Sequence, residues 1–256
     1  MFIPTEPSPT HSCADWIPSF TVSSHNGLCE HPAFPPAFPP EFLPGVSPRK
    51  QPLVAGIIGG IGSGKSAVSR GLSQHFHVLT IDADRIGHEV LTFPAVKDRI
   101  RQTFGNEVFD GAEINRTALA RHVFGSQSHH QQSLTRLEEI VHPEIRRQLQ
   151  KQLEQIPEDI EVVILDAAVM LEAGWDDLCD TIVFVDTPFQ IRLDRVQKSR
   201  GWTADELRRR EASQISIEEK RSVSDFTVDN SRSLDDSVRQ LAPFLRKLID
   251  QNQRSE

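Results

Sequence analysis

The sequence predicts an α/β fold in which a five-stranded parallel sheet is covered by helices, and three observations carry that prediction. Five short apolar runs are separated by stretches of helical periodicity. The first run is continuously apolar, without the in–out alternation of a half-exposed strand, which is the pattern of a parallel strand covered on both faces. A glycine-rich turn joins the first run to the first helical stretch.

Taken in order, the first run is Leu53-Val54-Ala55-Gly56-Ile57-Ile58, a strand of this buried kind. A helix is expected from about Lys65 to His75, and the second run is Val78-Leu79-Thr80-Ile81. The region from Ala95 to Ile156 reads as mostly helical, with breaks at Phe104-Gly105 and Gly125-Ser126. Within it, His142-Pro143 is expected to open a long amphipathic helix, since proline fits where a first-turn N–H has no partner anyway. Val162-Val163-Ile164-Leu165 and Thr181-Ile182-Val183-Phe184-Val185 are the third and fourth strands, and Phe226-Thr227-Val228 is a short fifth. A C-terminal helix runs from about Leu234 to Asp250.

Residues 1–50 are set apart by composition. They hold 11 of the 17 prolines and repeat the unit Ala-Phe-Pro-Pro between Ala33 and Pro40. Proline donates to no ladder and keeps the residue before it extended. The head is therefore expected to be an unstructured extension of a domain at residues 51–256, the alternative being a ligand for an aromatic-lined groove.

The 256-residue chain carries a formal charge of −8, which argues against a duplex-nucleic-acid binder, whose affinity comes from Lys and Arg on phosphates. A local basic pocket for a phosphorylated small molecule remains compatible with it. Cys13, Cys29 and Cys179 have neither C-x-x-C spacing nor neighbouring histidines, so they define neither a zinc site nor a disulfide framework. No run approaches the ~18 apolar residues that span a bilayer. Met1 to Glu6 lacks the basic and apolar regions of a signal peptide. The expected protein is soluble and cytoplasmic, without a membrane partner.

Directly after the first run stands Gly59-Gly60-Ile61-Gly62-Ser63-Gly64-Lys65-Ser66, which fits G-x-x-x-x-G-K-[ST] between a strand and a helix. Glycines let the backbone curl so that successive N–H groups face phosphate oxygens, and the helix adds its positive end. The residues expected to hold the nucleotide are Gly60, Ile61, Gly62, Ser63, Gly64, Lys65, Ser66 and Ala67. Lys65 is expected to reach the β- and γ-phosphates and the Ser66 hydroxyl to ligate Mg²⁺. The pattern indicates ATP or GTP and is silent about the acceptor.

The second strand runs into Asp82-Ala83-Asp84. In open α/β sheets ligands sit at the carboxyl ends of strands. There Asp84 can orient an attacking hydroxyl and take its proton, while Asp82 can hold Mg²⁺-bound water or cap the next helix. Asp166 closes the third run as a Walker-B type metal partner does. Between Arg192 and Arg221, nine basic residues face six acidic ones. Gly201 divides this stretch, and Thr203-Ala204-Asp205-Glu206 restarts it as a capping box. A helix–glycine–helix lid over about residues 190–221 is expected, with Arg195 and Arg200 meeting the charge that develops on the phosphoryl group.

Together the loop octet, Asp82-Ala83-Asp84, His142-Pro143, the lid and Phe226-Thr227-Val228-Asp229-Asn230-Ser231 resemble the dephospho-coenzyme A kinases over about residues 53–247. The resemblance implies a P-loop kinase core with a helical substrate-binding insertion, about residues 95–156, and a helical lid. It implies ATP and Mg²⁺ as cofactors and dephospho-CoA as substrate, phosphorylated on its ribose 3′-hydroxyl in the last step of coenzyme A synthesis. It puts Asn230 with the nucleotide, and Asp84, His142 and Arg200 with the acceptor. Two positions depart from the family: Ile58 stands where Thr is usual, and Asp166-Ala167-Ala168-Val169-Met170-Leu171-Glu172 replaces D-x-P-L-L-x-E. The 50-residue head has no counterpart there. A kinase for another nucleoside or hydroxylated metabolite would share Lys65 and Asp84, whereas a GTPase switch would carry an N-K-x-D motif that this chain lacks.

Overall fold

In the computed structural model, residues 51–124 and 128–254 are described. The Pro-rich head and the break expected at Gly125-Ser126 lie outside them. All five expected strands form: β1 (Leu53–Gly59), β2 (Val78–Asp82), β5 (Val162–Asp166), β6 (Thr181–Asp186) and β7 (Phe226–Asp229). They make one parallel sheet in the order β2-β5-β1-β6-β7. The chain passes from β1 out to β2 and later returns to insert β5 between them. A crevice therefore opens at the carboxyl ends of β1 and β5, the usual ligand position of such sheets.

The two faces of the central strands β1, β5 and β6 feed separate cores with the period of two that a pleat imposes. Leu53, Ala55 and Ile57 of β1, Val162 and Ile164 of β5 and Val183 and Val185 of β6 face α1 (Lys65–Gly71) and α9 (Leu234–Asn252). Ile58, Val163, Leu165, Ile182 and Phe184 face the other way. There the cover is α2 (Ala83–Val90), α3 (Pro94–Phe104), α4 (Arg116–Val123) and α5 (Ser128–Glu154). Val162, Val163, Ile164 and Leu165 are each fully buried, which stabilises the sheet by ~1.5–3 kcal/mol per side chain. β1 has no side chain at Gly56, where a Cβ would meet Ile182, Met170 and the partly buried Cys179 within 3 Å. Packing on β1 thus depends on that glycine.

Two features differ from the sequence expectation. Pro143 does not open a helix: it lies inside α5, 15 residues past its start at Ser128. An interior proline deprives the carbonyl four residues back, that of Glu139, of its donor. The Arg99 guanidinium of α3 replaces it, donating to Glu139 O at 3.2 Å and to Ile140 O at 3.4 Å. The apolar stripe of Leu134, Leu137, Val141, Ile145 and Leu149 then runs through the proline without interruption. Between α3 and α4 lies a hairpin, β3 (Phe109–Asp110) and β4 (Glu113–Ile114), in a region expected to be helical.

After β6 come α6 (Phe189–Arg200), α7 (Ala204–Glu211) and α8 (Ile217–Ser222), with Arg192 and Val196 of α6 and Ile217 of α8 against the loop that follows β1. Gly201 closes α6 with left-handed backbone (φ 70°), as the glycine break predicts. Half of the expected capping box forms: Thr203 Oγ1 accepts from Glu206 N at 3.2 Å. The Glu206 carboxylate turns instead to Arg209 and Arg210. No helix among the described residues is long and apolar enough to cross a membrane.

Candidate active site

The turn from β1 into α1 carries the phosphate loop. Its curl needs left-handed backbone at Gly62 (φ 77°) and Gly64 (φ 92°), and a Cβ at Gly64 would also fall 2.5 Å from the Asn230 amide nitrogen. The loop is held from behind through its carbonyl oxygens. Ile61 O accepts from Arg192 Nη1 (3.3 Å) and Gly62 O from Arg195 Nη1 (3.3 Å). Ser63 O accepts from Arg195 Nη1 (2.9 Å), Thr187 Oγ1 (2.9 Å) and Asn230 Nδ2 (2.6 Å). With the carbonyls drawn outward, the N–H groups of Gly62, Gly64, Lys65 and Ser66 have no main-chain acceptor among the described residues. That is the arrangement an anion needs.

In front of the loop lies a cleft of about 590 Å³. Ile61, Gly62, Ser63, Gly64, Lys65, Ser66 and Ala67 line it, as the sequence pattern predicts. Asp82, Asp84, Asp166, Arg195 and Arg200 line it too, so residues from four separate stretches of chain converge here. Gly60 and Asn230 do not line it. Gly60 lies against Arg192, and Asn230 is buried beneath the loop, bonded to Ser63 O and to Ser237 Oγ (2.8 Å). Arg195 reaches the cleft, but its guanidinium is also tied to Gly62 O, Ser63 O and Asn230 O.

The acids meet at the edge of the sheet. Asp82 of β2 and Asp166 of β5 are direct register partners. Ser66 Oγ donates to Asp166 Oδ2 at 2.9 Å. Asp82 Oδ1 caps α2 by accepting from Arg85 N at 2.9 Å. Asp84 sits in the first turn of α2. Burial pushes its carboxyl up to about 6, the charges of Asp82 and Asp166 add to this, and Lys65 opposes it. Three carboxyls crowded this way gain from a cation. No group of three His, Cys, Asp or Glu among the described residues can hold a metal by itself. Ser66 Oγ and Asp166 Oδ2, a hydroxyl and a carboxylate beside the phosphate loop, are hard oxygen donors of the kind Mg²⁺ takes.

Behind Asp84 opens a narrow apolar slot of about 40 Å³ between α2, α4 and α5. His142 lines it, edge-on to Trp175 with ring centroids 5.4 Å apart. Burial lowers the His142 imidazole to about 4, so it is neutral at physiological pH. In place of the family's D-x-P-L-L-x-E, Val169 and Met170 anchor the segment after β5 in the core, and the Glu172 carboxylate accepts from Ile215 N at 3.0 Å. The buried Lys220 of α8 stands 3.9 Å from Glu172 and donates to Gln214 Oε1 at 2.8 Å.

Sequence reasoning missed several cleft residues. Trp202, Arg210 and Gln214 line it from the stretch that follows α6. The Arg200 and Arg210 guanidiniums lie 4.8 and 4.1 Å from the Trp202 ring centroid, an aromatic surface that places both at the cleft. The signal was an aromatic residue next to the helix-ending Gly201 within a basic stretch.

Fold and cleft together define a P-loop phosphotransferase: a strand-loop-helix anion cradle, strand-end carboxylates at the switch point, and a basic helical cover. The family model described as "Dephospho-CoA kinase" matches residues 53–236. The chain belongs to the dephospho-CoA kinase family. It is similar to the dephospho-CoA kinase of Corynebacterium diphtheriae, 37% identical over 178 residues that cover 68% of this chain and 86% of the relative. It is also similar to that of Carboxydothermus hydrogenoformans, 34% identical over 189 residues, covering 72% and 89%. Among solved structures, TT1252 from Thermus thermophilus aligns with a TM-score of 0.64 at 33% identity, covering 78% of this chain and 99% of that one. A dephospho-CoA kinase from Campylobacter jejuni shares the fold, with a TM-score of 0.56 at 23% identity over 78% of this chain and 98% of that one.

Proposed function

We propose that this chain transfers the γ-phosphoryl group of ATP to the ribose 3′-hydroxyl of dephospho-CoA, giving coenzyme A and ADP. One observation carries the site assignment: among the described residues, Asp84 alone lines both the phosphate cleft and the apolar slot behind it. A group that touches both compartments is where donor and acceptor meet. We read residues 51–256 as the catalytic domain, the helical region at 95–156 as the acceptor side and 190–221 as the lid.

In this reading the loop N–H groups and Lys65 hold the ATP phosphates. Ser66 and Asp166 would hold Mg²⁺, with Asp82 beside them, and the ion would neutralise phosphate charge. Transfer passes through a loose transition state, so the main task of Asp84 is to orient the hydroxyl in line, with proton acceptance late. Arg200, and Arg195 where its loop contacts allow, balance the equatorial charge. Asn230 supports the nucleotide site from beneath the loop. The apolar slot is too narrow for a nucleotide as it stands, so α2, α4 and α5 must part to admit the acceptor beside His142.

ADP release measured with dephospho-CoA, pantothenate, shikimate and nucleosides in parallel tests the assignment. Turnover with dephospho-CoA far above the others is expected. A clear preference for another hydroxylated metabolite would transfer the same machinery to that acceptor.

A further inference from the structure

The geometry points to Arg192 and Glu211 as a positioning pair: an ion pair behind the phosphate loop that holds the Ile61 peptide and so pre-forms the ATP site. This rests on the reading of the loop as that site. Arg192 lies on α6 and Glu211 ends α7, 19 residues later. Their side chains are 7% and 17% exposed, which is too buried for either charge to stand alone. The two meet directly, Arg192 Nη1 on Glu211 Oε1.

Each then spends its remaining capacity on the loop. Glu211 Oε1 also accepts from Ile61 N at 3.2 Å. Arg192 Nη1 donates to Ile61 O at 3.3 Å, and its Nε donates to Thr187 O at 3.0 Å. Thr187 Oγ1 in turn donates to Ser63 O at 2.9 Å. Both polar groups of one loop residue are therefore gripped by two side chains that grip each other. The fit is close: a Cβ on Gly60 would fall 2.7 Å from Arg192 Nη1. Neither Arg192 nor Glu211 lines the cleft, so any effect on the nucleotide passes through the loop.

The clasp matters because of what flanks Ile61. Gly60 and Gly62 give this stretch the widest conformational range available to a chain, and ordering it on binding would weaken affinity. A clasp that orders the loop beforehand removes that loss. It also explains why two lid helices carry buried opposite charges at the ends nearest the loop rather than solvated ones. Lys220 and Glu172 lie in the same buried neighbourhood, where the charges of Glu211, Arg192 and Lys65 also act on Lys220.

The test uses the full chain with Arg192→Met and Glu211→Leu combined, which removes both charges at similar volume, and Arg192→Lys, which keeps the charge but loses the fork. Three quantities are read: affinity for a non-transferable Mg·ATP analogue by calorimetry, hydrogen exchange at the Ile61 amide, and KM against kcat. For the folded double variant, affinity is expected to fall about 10–100-fold and KM for ATP to rise in step. Exchange at Ile61 should speed while β1 stays protected, with kcat and the KM for dephospho-CoA little changed. Arg192→Lys should fall between wild type and the double variant, and it carries the same readouts if the double variant does not fold. Unchanged analogue affinity and Ile61 exchange, or a loss confined to kcat, would overturn the proposal. The affinity arm needs no acceptor, so a wild type inactive on dephospho-CoA would refute the proposed reaction while leaving the clasp testable.

Discussion

Ser66 Oγ donates a 2.9 Å hydrogen bond to Asp166 Oδ2, joining the first turn of α1 to the end of β5 across 100 residues of sequence. Only a sheet that inserts β5 beside β1 brings these two together. As Mg²⁺ partners they make a direct prediction. Ser66→Ala and Asp166→Asn should each raise the Mg²⁺ concentration needed for half-maximal rate by about tenfold, since each removes a hard oxygen from the site. Mg²⁺ titration at fixed ATP checks this, and identical curves for wild type and both variants would withdraw the assignment.

Asp84 predicts both a pH profile and a stability effect. Its carboxyl titrates at about 6, above the usual carboxylate range, so kcat should fall as pH drops through 6 and the base is protonated. Asp84→Asn should lower kcat ~10²–10⁴-fold with ATP affinity nearly unchanged. A raised folded-state pKa favours the neutral form. Its contribution to stability is fully present below about 4 and is lost as pH rises through 6. Removing the charge should therefore stabilise the nucleotide-free protein by about 2–3 kcal/mol at pH 7, and the gain should vanish in acid. Denaturant unfolding at pH 7 and pH 4 measures this; a variant less stable at both would contradict it.

Lys65→Ala should cost at least ~10²-fold in rate without unfolding the chain. The side chain has one long bond of its own, Nζ to Gly59 O at 3.4 Å, so little structure depends on it. Lys65 also holds the Asp84 carboxyl down, so the residual activity of the variant should show its acid limb above pH 6. A folded variant with near-normal turnover would remove Lys65 from the mechanism.

The lid should close mainly at its elbow. α6 is tied to the loop through Arg192 and Arg195, and α7 is tied at its far end through Glu211. Hydrogen exchange on binding ATP and dephospho-CoA together should slow most around Arg200, Gly201 and Trp202, and least near Arg192. Arg200→Ala should lower kcat more than it raises KM. Uniform protection from residue 192 to 221, or none, would argue for a rigid cover.

A chain beginning at Pro48 should keep the melting temperature and turnover of the full chain. The expectation rests on the 11 prolines among the first 50 residues and the lack of strand or helix periodicity there. A large drop in either quantity would mean that the head packs on the catalytic domain.

What could be read from sequence was set locally. The central strands β1, β5 and β6 were legible because burial on both faces makes them almost wholly apolar, β2 and β7 because short apolar runs survive in them although Thr80 and Thr227 are exposed, and the loop because its glycines, Lys65 and Ser66 lie within one octet. Asp84 and Asp166 followed from strand ends. Pro143 misled because its helix-breaking effect is offset by Arg99, 44 residues earlier, which no local rule links to it. The β3–β4 hairpin has two residues per strand, too short for any periodicity. Arg192 and Glu211 looked like two members of a mixed-charge surface, since their burial depends on where α6 and α7 land. Asn230 came with the family resemblance, and its contacts place it under the loop instead of in the cleft.

Cys179, packed against Gly56 and Met170, has redox consequences for an enzyme of this kind. Burial, followed by the charges of Asp176, Asp180 and Asp177, pushes its thiol up to about 12. At neutral pH the thiolate, the species that attacks disulfides and is oxidised to a sulfenic acid, is then much scarcer than for an ordinary cysteine. The proposed acceptor and product both end in a free thiol. A surface cysteine of ordinary acidity would exchange with their oxidised forms and collect mixed disulfides during turnover. At position 179 that exchange is suppressed, so this cysteine should stay reduced while its enzyme handles a thiol cofactor.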